Sequence, residues 1–88
     1  MAKYRKKPVI VDAIQWDGSR DLTSIKAWVE SFKDVWEHHF FTDAMFRVMT
    51  IEGESYELQA GDYIIRGVQG EYYPCKPDIF VQTYDRID

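Results

Sequence analysis

The sequence predicts an α+β fold: an antiparallel sheet of about five strands, one amphipathic helix after the first strand, and a short C-terminal helix. Three observations predict it. Apolar residues switch from strand-like to helical spacing after Leu22, and back again from Met45. Glycine-bearing turn signals separate the short apolar runs of the second half. Pro77 stands where the last extended run gives way to a helical one. The 88 residues make a single domain, 1–88, with a small core.

Residues 8–16, "PVIVDAIQW", read as a strand. Val9, Val11 and Ala13 share one face, and Ile10, Ile14 and Trp16 the other. Both faces are apolar, which predicts an internal strand. "DGSRD" is a turn at Gly18. Leu22, Ile25, Trp28, Val29 and Phe32 then give one face of a helix, with Asp21 as its N-cap and an end near Lys33–Asp34. Residues 34–44 carry no regular pattern. "MFRVMTI" (45–51) and "SYELQ" (55–59) form two strands joined by "EGE". "YIIRGV" (63–68) and "EYYPC" (71–75) are the fourth and fifth, joined at "QG". From Pro77, "PDIFVQTY" begins a helix, with Lys76 extended before it and Asp78 favouring its positive end. Ile79, Phe80 and Tyr84 are its expected buried face.

Three Trp, six Tyr and five Phe give a short chain much buried area per residue, and they suit binding surfaces equally. A net charge of −4 argues against nucleic acid as a partner. The basic run Lys3, Arg5, Lys6 and Lys7 reads as a solvated arm. One cysteine, Cys75, precludes an internal disulfide. No apolar run is long enough to span a membrane, and no cleavable leader is evident, so a cytosolic protein is expected.

Arg66 is the residue out of place in an apolar strand. It shares a face with Ile64 and Val68, so it must pair, reach solvent or meet an anion. Glu71 across the turn is the expected partner, and a ligand phosphate or carboxylate the competing one. Cys75, before a helix N-terminus and beside Lys76, has features that favour a thiolate, although a small packed residue is the simpler reading. His38 and His39 are adjacent and lack companions at metal-ligand spacing. Asp62 and Glu71 make only a weak carboxylate pair. Gly61, Gly67 and Gly70 read as turn glycines. No nucleophile elbow, P-loop or dinucleotide fingerprint occurs. Trp16, Arg66, Tyr73 and Lys76 combine flat rings with cationic donors, the chemistry that takes a base and its phosphates. With Glu71 they are the candidate ligand-binding residues, with no catalytic residue, metal or cofactor among the expectations.

The segments "KKPVIVDAIQW" and "GDYIIRGVQGEYYPCKPDIF" resemble a family of small proteins encoded by bacteriophages and prophages. Members resemble K-P-V-x-V-x-A-x-Q-W, then a helix, then G-D-Y-I-I-x-G-V-x-G-E-x-Y-P-C-K-P-D-I-F-x-x-T-Y. The resemblance covers both ends of the chain and leaves 34–48 unmatched. It implies an accessory protein acting in the bacterial host cell, and it implies no catalytic residues. The leading expectation is a non-enzymatic, homo-oligomeric binder that sequesters a nucleotide-derived immune signal. The alternative is a module that binds a host or phage protein through Trp28, Trp36 and "HHFF". A hydrolase using His38 or His39 is the third.

Overall fold

The computed structural model describes residues 1–5, 7–34, 47–49 and 55–88. Within them the chain runs β1 (Asp12–Gln15), α1 (Thr23–Ser31), β2 (Arg47–Met49), β3 (Ser55–Glu57), β4 (Tyr63–Arg66), β5 (Tyr72–Cys75) and α2 (Pro77–Thr83). The α+β class and both helices are as expected. The strands divide into two antiparallel sheets, however, and not one: β1-β4-β5 and β2-β3. Lys6, Trp36, His38, His39, the "HHFF" segment and the 52–54 connection lie outside the described residues.

The register explains the layers. Ile64 of β4 sits opposite Ile14 and Pro74, and Arg66 opposite Asp12 and Tyr72. Paired residues in a ladder point to the same side, so these form one face. Tyr63 and Ile65, with Gln15, Cys75, Ala13 and Tyr73 opposite them, form the other. The first face receives α1: Ile25 and Val29 are buried there with Ile64, Tyr72, Val48 and Leu58, and Trp16, Leu22 and Trp28 pack around them. The second face receives α2, where the Phe80 ring stacks on Tyr63 at 3.8 Å between centroids.

Local signals account for the element ends. The Asp21 carboxylate accepts from the backbone N–H of Thr23 at 3.1 Å and from its hydroxyl at 2.5 Å, one residue ahead of the cap position Leu22. Those bonds hold its pKa below the ordinary carboxylate value. The helix stops at Phe32, and Lys33 adopts φ 63°, the left-handed conformation that usually closes a helix with glycine. Lys76 is extended (φ −65°, ψ 144°) ahead of Pro77, and Asp78 occupies the first turn of α2.

Two expectations are corrected. Among the described residues β1 is an edge strand four residues long, not an internal strand from residue 8, and Ile10 is 76 % exposed. Apolar residues on both sides of a segment show that it can be buried, not that a neighbour exists to bury it. In α2, Ile79 is 53 % exposed, and no residue of that helix is fully buried. Two turns of helix laid on a narrow sheet cover the Phe80 ring only in part, and leave most of the rest of the helix exposed.

Candidate functional site

The β4–β5 hairpin separates the residues that sequence reading groups together. Arg66 and Tyr73 point to opposite faces. Arg66 and Lys76 sit at opposite ends: Lys76 meets Asp62, four positions before Arg66, a distance of about 13 Å along the strand. The expected cluster of Trp16, Arg66, Glu71, Tyr73 and Lys76 therefore does not converge.

Each of those residues has a local role. Arg66 Nε donates to Asp34 Oδ2 at 3.3 Å, and its guanidinium lies 4.4 Å from the Phe32 ring centroid. Tyr72 donates its hydroxyl to the same Asp34 oxygen at 2.7 Å. The partner of Arg66 is thus Asp34 and not Glu71. Burial works against the charged guanidinium, but the bonds to Asp34 and Tyr72 outweigh it and raise its pKa. Burial, then the Asp34 bond and charge, push the Tyr72 hydroxyl well above its ordinary value. Glu71 accepts from the Gln69 backbone N–H at 3.2 Å and lies against Gly67, where its carboxylate and the Tyr73 ring leave no room for a side chain. Trp16 packs on the core and donates Nε1–H to the Ser19 carbonyl at 2.9 Å. Trp28 also belongs to this core, meeting Phe32 and Tyr72 edge to face, and so is not a free docking ring.

At the other end lies a cleft of about 420 Å³. Tyr56 and Glu57 of β3 form one wall, and Tyr73, Pro74 and Cys75 of β5 the other, with Asp62 and Lys76 at the end. Its opening follows from Pro74. Gly67 N–H bonds the Glu71 carbonyl at 2.8 Å, and antiparallel pairs alternate, so Ile64–Pro74 is a non-bonded pair. The nitrogen of Pro74 faces away from β4 and has no proton to offer a further strand. β2 comes alongside β5, yet no ladder joins them.

Asp62 is the buried charge of the cleft, 4 % exposed. Its Oδ2 accepts from the Gln59 backbone N–H at 2.9 Å and from Lys76 Nζ at 3.2 Å, and its Oδ1 meets the same ammonium at 3.4 Å. Gly61, at φ 95°, makes the turn that aims it, donating its N–H to the Trp16 carbonyl at 2.7 Å. Asp62 and Glu71 lie at opposite ends of the hairpin and do not act together.

At Cys75 the surroundings oppose the thiolate reading and agree with the simpler one. Burial, then the charges of Asp78 and Asp62, push its thiol up and keep it protonated. Lys76 pairs with Asp62, which leaves Asp78 the larger of the two charge effects on the thiol. Tyr73 is likewise held neutral, by burial and then by its hydrogen bond to Tyr84. Among the described residues no three His, Cys, Asp or Glu side chains converge on a metal-sized site, and no helix is long and apolar enough to cross a membrane.

Sequence reading singled out Tyr73 and Lys76 of this cleft but missed Tyr56, Glu57 and the ion pair at Asp62. Pro74 was the available signal, because a proline inside a strand marks an edge beside which space can open. Compared with protein-family models, curated proteins and solved structures, the chain matches none.

Proposed function

We propose that the chain is a non-enzymatic binding protein that holds a small nucleotide-derived ligand in the cleft between β3 and β5. The observation that carries this reading is the cleft itself. Its volume of about 420 Å³ falls in the range of small-molecule sites, and Tyr56 and Tyr73 line it together with the charged Glu57, Asp62 and Lys76. Rings that accept a flat base, with a few fixed polar groups to orient it, are the requirements for a nucleoside-sized guest. The protonated Cys75 thiol supports binding without covalent attack. The resemblance to phage and prophage proteins suggests the setting, the bacterial cytoplasm, and the sequestering of a host immune signal as the role; a small domain gains buried surface by forming a homo-oligomer.

Calorimetry against cyclic dinucleotides and ADP-ribose derivatives tests the reading. Binding of at least one compound is expected, with the ligand recovered intact after the protein is heat-denatured. Silence across the panel, or recovery of a cleaved product, contradicts it.

The competing reading, a protein-binding module, draws on α2, where Ile79 and Val81 are 53 % and 65 % exposed. It predicts one dominant partner in a pull-down from infected cells, lost on replacing both side chains with Ser, and a silent small-molecule panel.

A further inference from the structure

We propose that the cleft selects guanine over the other bases; this rests on the ligand-binding reading above and specifies its chemistry. Glu57 lines the cleft and makes no hydrogen bond or ion pair among the described residues. An ionised carboxylate is purely an acceptor, and its two oxygens take two parallel N–H groups best. Lys76, also on the lining, directs its ammonium to the two oxygens of Asp62. An ammonium has three protons, so at least one is left for a guest.

The cleft thus offers a paired acceptor and a single donor. Guanine presents the complement on one edge: adjacent N1–H and exocyclic N–H donors beside the O6 acceptor. Adenine brings one amino group beside an acceptor nitrogen and leaves half of the Glu57 carboxylate unmet. Cytosine likewise has a single donor group on its pairing edge. Tyr56 and Tyr73 line the cleft and bring the aromatic character that any base requires. Discrimination therefore falls to the polar groups.

Charge places the rest of the nucleotide. Glu57 and Asp62 outnumber Lys76 by one charge in the lining, and Arg47 stands opposite Glu57 in the β2–β3 ladder, outside the lining. The lining therefore takes the base, and the phosphates stay outside it.

Titration of the whole protein with GMP, IMP, AMP and CMP tests this. GMP is expected to bind at least roughly tenfold more tightly than AMP or CMP, and IMP in between, because inosine keeps N1–H and O6 but lacks the amino group. Glu57→Gln should cost GMP roughly tenfold and change AMP little, with an unaltered circular dichroism spectrum. AMP or CMP binding as tightly as GMP, or a preference that survives Glu57→Gln, overturns the guanine assignment and leaves the ligand-binding reading standing. No binding by any of the four, together with a silent panel of larger nucleotides, overturns both.

Discussion

Arg66 Nε donates to Asp34 Oδ2 at 3.3 Å, joining β4 to the chain just beyond the end of α1. The same carboxylate oxygen accepts from Tyr72 at 2.7 Å, and Phe32 lies under the guanidinium. The cation that stands out in the sequence is therefore a fastening between helix and sheet, and the cleft lies at the far end of the hairpin.

Arg66→Ala should separate stability from binding. Part-buried hydrogen bonds to charged groups contribute about 1–3 kcal/mol, so urea unfolding should shift by that order. Ligand affinity at the cleft should change less than about twofold, within measurement error for a remote site. Asp34→Asn should destabilise in the same direction, and a double-mutant cycle with Tyr72→Phe should be non-additive.

Alkaline pH should weaken the fold. Tyr72 and Tyr73 are both held neutral above the ordinary phenol value of 10.0. In the unfolded chain these hydroxyls ionise first, so their contribution is complete below that value and is lost as the pH rises above it. Urea midpoints followed from about pH 8 to about pH 11 should fall at the upper end. Tyr72→Phe should be less stable at neutral pH, since it loses the bond to Asp34, yet should show a shallower alkaline decline.

Cys75 should react slowly with iodoacetamide in the native state. Only the thiolate attacks, and burial with Asp78 and Asp62 disfavours it. The rate should rise with pH later than that of a free thiol, and Asp78→Asn should bring the rise earlier. A rate at neutral pH above that of the unfolded chain would contradict this electrostatic picture.

Lys33 occupies φ 63° without being glycine. The left-handed conformation costs an ordinary residue about 1–2 kcal/mol. Lys33→Gly should therefore stabilise by about 1 kcal/mol, read as a higher urea midpoint, with Asp34 kept in place against Arg66.

The elements themselves were legible because each rests on a local cause. Helical spacing places α1, Pro77 starts α2, and glycine-bearing turns bound β4 and β5. What escaped was pairing. The hairpin between β4 and β5 implies that Arg66 and Tyr73 face opposite ways, which is inferable from the strand assignments alone. The partner of Arg66 was not inferable, because Asp34 comes from a stretch without periodicity, 32 positions away. The cleft was hidden for a related reason. Whether β2 and β3 extend the sheet or lie beside it depends on tertiary packing, and only Pro74 hinted at the second outcome.

Amide chemical-shift mapping of the labelled protein during titration with a bound nucleotide tests the central claim most directly. The account predicts that the largest shifts fall on Tyr56, Glu57, Tyr73, Cys75 and Lys76, with Arg66, Phe32 and Trp28 nearly unmoved. Shifts centred on Arg66 and the end of α1, with the β3–β5 cleft silent, would contradict it.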